Sequence, residues 1–327
     1  MQKRGTRLKI LVGIGVGILI FVILLFGFGI IETMIDNADR GSLNDEEFSY
    51  SDHSVDEISY NGVYYTPKSS LDTLLILGID SSEERPDSAQ ADFIALVVMD
   101  RDRECFDVLH LNRDTMADIP EIDTYGDQYG TEFAQLALAH TYGADDKMRC
   151  RNTVNTIENL LYDINIDHYL SLTMDALPLI NDSVGGVTVQ LLDDFTFLNE
   201  NYTKDAVVTL HGDHALRYVR ARGEMEDSTN LRRMERQKQY ISALVEKYNT
   251  TETEDTLETM LEINEHLVSD CTVDQLSRLI EKMQTYTYNG VTTIEGESVV
   301  NTFMEYHLDE QSARETIIRL FYEPVEQ

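Results

Sequence analysis

The sequence predicts an α/β protein whose folded part sits behind one N-terminal transmembrane helix. Short apolar runs that end on acids alternate with segments of helical spacing, the pattern of strands and helices around one sheet. Residues 10–31 carry no charge at all. Six arginines (Arg217, Arg220, Arg222, Arg232, Arg233 and Arg236) crowd into residues 215–237 of a chain with only 26 Lys and Arg against 59 Asp and Glu.

At about 1.5 Å per residue, the uncharged segment 10–31 is long enough to cross a hydrocarbon core. Lys3, Arg4, Arg7 and Lys9 precede it and Glu32, Asp36 and Asp39 follow it. That asymmetry places the N-terminus (1–9) in the cytoplasm and the rest outside. A cleaved signal peptide is the alternative, but no small-residue cleavage pattern follows Ile31. Residues 32–68 are polar and acidic and read as a stalk, with a hairpin turn at Asn61-Gly62.

The folded part is expected over 69–249, with an α/β extension over 250–327 that packs on the same domain. Strands are expected at 74–77, 93–99 and 106–111, which end or begin at Asp80, Asp92 and the run Asn112-Arg113-Asp114-Thr115. Helical spacing follows at 132–140 and 152–162. A strand is expected at 168–172, a helix at 174–180, and strands at 187–190 and 207–210. A helix from near Asp213 and a longer one over 230–248 carry the arginines. The tail reads as helices 255–267 and 273–287, a strand near 290–295 and a last helix 309–322.

The net charge of −33 excludes a nucleic-acid partner, because no basic face is large enough to neutralise a backbone. Cys105, Cys150 and Cys271 are too scattered for a disulfide framework or a zinc site and read as buried free thiols. His110 and His140 lie in apolar contexts and read as core residues. No Walker A loop, HExxH or GxSxG occurs, which argues against a nucleotide motor, a zincin or a serine hydrolase.

Arginine presents a planar fork of donors that matches phosphate oxygens in pairs. On a helical wheel Arg233, Gln237 and Tyr240 share a face, with Met234, Ile241 and Val245 on the adjoining apolar face. Arg220 and Arg222 come from the end of the preceding helix, so the four donors can converge on one anion. Asp80 and Asp92 flank the first loop, and two carboxylates beside a pyrophosphate suit Mg²⁺ or a similar hard cation. Asp114 can act as a base while Arg113 neutralises phosphate charge. Taken singly, each of these residues also fits an ordinary cap or surface ion pair.

The motifs in order are LLILGID at 74–80, the Asp92 strand, NRDT at 112–115, LALAHTYG at 136–143, DSVGGVTV at 182–189, LHGDHALRYVRAR at 210–222 and RMERQ at 233–237. In this combination, over roughly residues 71–248, the chain resembles the LytR-CpsA-Psr family of membrane-anchored cell-wall enzymes. The resemblance implies an α/β/α sandwich with a central mixed β-sheet and a long apolar pocket for a lipid. It implies a phosphotransferase outside the membrane of a Gram-positive-type bacterium. Such an enzyme moves a glycopolymer (teichoic acid, capsule or another wall glycan) from a polyprenyl-pyrophosphate carrier to a peptidoglycan hydroxyl. By matching positions, Arg113, Arg220, Arg222, Arg233 and Gln237 would contact the pyrophosphate and Asp80 and Asp92 would hold Mg²⁺ or Mn²⁺. Asp114 would be the base or orienting acid, and Arg217, Arg232 and Arg236 would be left to surface or ion-pair roles. Asn112 stands where many members have proline, and Asn230 where many have aspartate; Asp227 is an acid close by. A non-catalytic binder of lipid-linked wall precursors is the alternative reading. A membrane-anchored transcription regulator is a third, opposed by the outside topology.

Overall fold

The computed structural model describes residues 58–80, 89–250 and 262–325. The predicted span 10–31, the stalk up to residue 57, the loop 81–88 and most of the predicted helix 255–267 lie outside the described residues. Among the described residues no helix is long and apolar enough to cross a membrane.

The chain opens with a hairpin, β1 (Ile58–Tyr60) and β2 (Val63–Pro67). Its turn is the predicted Asn61-Gly62 pair, and both residues take positive φ, as a tight hairpin turn requires. Next come β3 (Leu71–Ile79), β4 (Ala91–Asp100) and β5 (Cys105–Leu111). With β8 (His168–Thr173), β11 (Leu267–Ser269) and β12 (Thr287–Thr292) they form a six-stranded sheet in the order β11-β8-β3-β4-β5-β12. β3 runs antiparallel to β4 and parallel to β8, and β5 runs antiparallel to β4 and parallel to β12, so the sheet is mixed.

The near-continuous apolar runs of β3 and β4 follow from burial on both faces. Successive side chains alternate. Leu75, Leu77, Leu96 and Leu109 face α1 (Asp146–Leu160) and α6 (Glu310–Phe321), where they join Ile157, Ile317 and Leu320. Leu74, Val97 and Phe106 face the other way, onto Leu276 and Leu279 of α5 (Val273–Thr285) and Ile241 and Val245 of α4 (Asn230–Thr250). Each such apolar side chain taken fully from water is worth about 1.5–3 kcal/mol. The result is a helix–sheet–helix sandwich. A satellite core lies beside it, where α2 (Ala176–Ser183), the hairpin β9 (Val187–Gln190) and β10 (Val207–Leu210), and α3 (Asp213–Arg220) close over Val187, Leu210, Tyr218 and Tyr240.

The expected helix over 132–140 is corrected. Residues up to Gln135 belong to a strand, β7 (Gln128–Gln135), paired with β6 (Met116–Ile122), and a 3-10 turn covers Leu136–Thr141. The apparent helical spacing joined a strand end to a turn. α1 starts six residues before the expected position, at Asp146, because Asp145 caps it by accepting the Met148 N–H at 2.8 Å. The hairpin β13 (Gly296–Val300) and β14 (Met304–Leu308) was not foreseen, nor was β15 (Tyr322–Pro324), which pairs with β2.

His110 and His140 are buried, 1% and 2% exposed. The three cysteines are free; Cys150 and Cys271 are buried and Cys105 is half-buried. Burial pushes the Cys150 thiol up to about 12 and the Cys271 thiol up to about 11, so few thiolates form at neutral pH. Pulse alkylation of the native protein should therefore label Cys105 first. Cys150 and Cys271 should react only when denaturant opens the sandwich, as read by peptide mass spectrometry.

Candidate active site

Three strand ends meet at one edge of the sheet. β3 ends where β4 begins, and β5 ends beside the same start, because β4 is antiparallel to both. That edge carries Asp80, Asp92 and the run Asn112-Arg113-Asp114. The β3–β4 ladder pairs Gly78 with Phe93 and Ile79 with Ala91, leaving Asp92 as the extra residue of a bulge. A bulge re-aims a side chain, here the Asp92 carboxylate. Gly78 makes room for the neighbouring Phe93, since a Cβ there would lie 2.9 Å from Phe93 Cβ.

Asp92 holds two arginines. Its Oδ1 accepts from Arg113 Nη1 and its Oδ2 from Arg233 Nη1 at 3.2 Å. Arg113 Nη2 also donates to Gln90 Oε1 at 2.6 Å. Asp80 Oδ1 accepts from Arg220 Nη2. Arg222 is half-buried, donates to the Ser228 carbonyl at 3.4 Å, and acts on both Asp114 and Arg233 through its charge. Arg233 is 3% exposed, and its Nε and Nη2 have no protein partner. Burial lowers its pKa to about 10 against the pull of Asp92, which still leaves it a cation at neutral pH.

Asp114 is the third carboxylate. Gln135 Nε2 donates to its Oδ1 at 2.9 Å and to the Met304 carbonyl at 2.7 Å. Tyr306 N–H donates to the Asp114 carbonyl at 2.8 Å. Asp114 Oδ2 is buried without a partner. Burial raises the Asp114 pKa despite the opposing charges of Arg113, Arg222 and Arg233.

α4 grips the end of α3. Arg236, fully buried, donates Nε to the Tyr218 carbonyl at 3.1 Å, Nη2 to the Ala221 carbonyl, and Nη1 to Asp193 Oδ2 at 2.9 Å. Gln237 Nε2 donates to the Val219 carbonyl at 3.3 Å. These carbonyls belong to the last turn of α3, where a helix leaves acceptors open. Of the surface or ion-pair role expected for Arg236, the ion pair is present, with Asp193, and the surface position is corrected: burial on the core side of α4 makes it a brace. Arg232 pairs with Asp193 and Glu235, and Arg217 with Glu224.

Of the predicted residues, Asp80, Asp92, Arg113, Asp114, Arg220 and Arg233 come together, with Arg222 beside them. Gln237 is turned to Val219. Gln90, Gln135, Met304 and Tyr306 belong to the same cluster and carried no signal in the sequence, since each acts through a contact distant along the chain. Asn112 and Asn230, the two departures from the family pattern, touch each other: Asn230 Nδ2 donates to Asn112 Oδ1 at 2.6 Å.

A divalent cation fits this donor set in one respect. Asp80 and Asp92 are hard oxygen donors on adjoining strands, and Mg²⁺ commonly takes one or two carboxylates together with phosphate oxygens. Both carboxylates are engaged by arginines here, so such an ion would enter with an anion able to draw those arginines away.

The sequence model of the LytR-CpsA-Psr family matches residues 37–320. A polyisoprenyl-teichoic acid–peptidoglycan teichoic acid transferase TagU of Halalkalibacterium halodurans is 29% identical over 177 residues, 54% of this chain and 52% of that protein. A TagU of Enterococcus faecalis is 28% identical over 63% of this chain and 64% of its own length. The chain thus spans from half to just under two thirds of these relatives. Among solved structures, TagT bound to LI-WTA superposes with a TM-score of 0.60 at 22% identity, covering 77% of this chain and 90% of that one. A Streptococcus agalactiae protein superposes at 0.61 and 19% identity, covering 77% and 86%. At these identities the superpositions speak to the fold.

The Asp193 grip sets a clear expectation. Asp193→Ala leaves the Arg236 guanidinium buried without its carboxylate, a loss of about 3–5 kcal/mol for a broken buried pair. Urea unfolding should show the midpoint falling accordingly, while Arg217→Ala on the exposed face of α3 should change it by less than about 0.5 kcal/mol.

Proposed function

The chain belongs to the LytR-CpsA-Psr family, and on that premise we propose that it is a membrane-anchored phosphotransferase. It moves a wall glycopolymer from a polyprenyl-pyrophosphate carrier to a sugar hydroxyl of peptidoglycan. The relatives named as teichoic acid transferases support teichoic acid as the polymer class. The uncharged segment 10–31 supports a single-pass anchor with a cytoplasmic N-terminus and the sandwich outside.

The observation that carries the reading is the convergence of Arg113, Arg220 and Arg233 on three aspartates at one sheet edge, with Arg222 near enough to act on Asp114 and Arg233 through its charge and two Arg233 donors buried and unpartnered. Four guanidinium groups against three carboxylates leave the cluster with a surplus of donors and positive charge. A pyrophosphate diester supplies two negative charges and several acceptor oxygens, so it satisfies both. A bound Mg²⁺ or Mn²⁺ on Asp80 and Asp92 would add Lewis-acid neutralisation of the phosphate oxygens.

The residues divide the work. Arg113 and Arg233, which share Asp92 in this structure, turn their free donors to the phosphorus under attack. Arg220 and Arg222 hold the leaving side, where charge grows on the departing polyprenyl phosphate. Asp114 takes the proton from the attacking sugar hydroxyl. The new O–P bond forms to the polymer-bearing phosphorus as its bond to the bridging oxygen breaks, and that oxygen leaves with the lipid phosphate. A carboxylate raised by burial is a better base than a free one at neutral pH.

Arg113→Ala and Arg220→Ala should each lower release of polyprenyl phosphate from a pyrophosphate-linked donor by about 10²-fold or more; wild-type turnover in both variants would sink the assignment. Treatment with EDTA should abolish release and Mg²⁺ restore it. Because Asp114 must be ionised and its pKa is raised from 3.8, activity should fall as pH drops through that raised value. The acid limb of kcat/KM should therefore lie above that of a free aspartate. Asp114→Asn should remove the activity rather than move the limb.

A further inference from the structure

Asn112 and Asn230 are 5% and 3% exposed. Asn112 follows β5, and its Oδ1 accepts from two donors, the Asp114 backbone N–H at 2.9 Å and Asn230 Nδ2 at 2.6 Å. The Asn112 carbonyl accepts from Thr115 N–H at 3.0 Å, closing the turn around Arg113 and Asp114. A backbone N–H can only donate, so the Asn112 amide has one orientation, with its oxygen toward Asp114. The Asn230 amide is then fixed as well: its NH₂ faces Asn112, and its own Oδ1 is buried with no partner.

We propose that Asn112 and Asn230 form one positioning unit for Asp114, and that position 230 must supply a hydrogen-bond donor to Asn112. The inference rests on the transferase reading for its activity readout only. A carboxylate at 230 would face Asn112 Oδ1 oxygen to oxygen, in a site where water is excluded. It could persist by taking up a proton, or by drawing over a donor of Arg233, whose Nε and Nη2 are buried without a partner, and so pulling that arginine from its place in the cluster. Otherwise the Asn112 amide must flip, which sets its NH₂ against the Asp114 N–H, or the first turn of α4 must move, which carries Arg233. Each escape displaces a member of the cluster. Local propensity makes the opposite forecast, because aspartate at the start of a helix is as good as asparagine or better.

Serine at 112 offers a way to restore the unit. A hydroxyl can accept from the Asp114 N–H and donate its own hydrogen to a carboxylate at 230, which an amide oxygen cannot do.

The test uses the full chain in four forms: wild type, Asn112→Ser, Asn230→Asp and the double variant. Transfer is assayed across pH on a pyrophosphate-linked donor. Asn230→Asp should lower kcat at neutral pH by about tenfold or more. Its activity relative to wild type should rise as pH falls, because only the protonated acid can donate to Asn112. The double variant should recover most of the loss and remove that trend. An Asn230→Asp protein with wild-type kcat and pH profile, or a double variant no better than Asn230→Asp, overturns the proposal. The same four proteins give a double-mutant cycle in unfolding constants, independent of any turnover. Coupling of about fivefold or more supports the unit, and additive effects overturn it. If the wild type transfers nothing, the transferase reading fails while the cycle still decides this one.

Discussion

The geometry of the candidate site depends on one buried guanidinium. Arg236 reaches from α4 to the carbonyls of Tyr218 and Ala221 and to Asp193, and Gln237 adds the Val219 carbonyl. A helix C-terminus presents a partial negative charge and open acceptors, and here a neighbouring helix satisfies both. The consequence is positional. Arg220 and Arg222 leave that helix end, while Arg233 sits one turn before the brace on the other helix. Fixing α3 to α4 therefore fixes the distance between two arginines that pair with Asp80 and Asp92 on the sheet. Burial disfavours the Arg236 cation and lowers its pKa. Asp193 offsets this, and Asp193 in turn is held by Arg232 from the same helix.

The sheet contributes the acids under the opposite constraint. Three carboxylates close together would repel and would each resist ionisation. Arginines pair directly with Asp80 and Asp92. Asp114 is stabilised less directly: Arg113 Nε stands 3.5 Å from its Oδ1, too far for a good hydrogen bond. Burial is thus less fully offset there, and it raises the Asp114 pKa. The three carboxylates thus differ in their partners: arginines hold Asp80 and Asp92 directly, while the Gln135 amide holds Asp114.

Much of this was legible in the sequence where a signal is local. The apolar runs at 74–77 and 93–99 became central strands because both of their faces are covered, and the acids at their ends fell on one edge because β3 and β4 are antiparallel. The apolar side of the helical wheel of 230–248 was also legible, since Met234 is buried and Ile241 and Val245 pack on the sheet, whereas Tyr240, read as sharing the Arg233 face, lies in the satellite core. Residues 132–140 were misread because a strand of mostly polar residues has no period to detect. β7 forms because β6 pairs with it, and only its last residues reach the core. The ion pair of Arg236 was within the expectation, but its burial was missed for a related reason. A wheel places a residue on a face, but only the tertiary contact shows that the face meets a helix end in need of donors.

The tail has a larger part in the site than its place in the sequence suggests. The motifs end at residue 237, yet the family match runs to residue 320. Asp114 shows why the later residues matter. Its backbone carbonyl accepts from Tyr306, and the Gln135 amide that holds its side chain is itself anchored on the Met304 carbonyl. Both partners lie on β14, and an isolated bridge from Thr115 to Tyr306 ties the turn to the same strand. β12 meanwhile completes the sheet beside β5, the strand that delivers Asn112, Arg113 and Asp114. A buried carboxylate keeps a more defined position when its acceptors are met. In this chain Gln135 of β7 meets Asp114 Oδ1, and β14 holds both Gln135 and the Asp114 backbone carbonyl, so the C-terminal segment helps to set the position of Asp114.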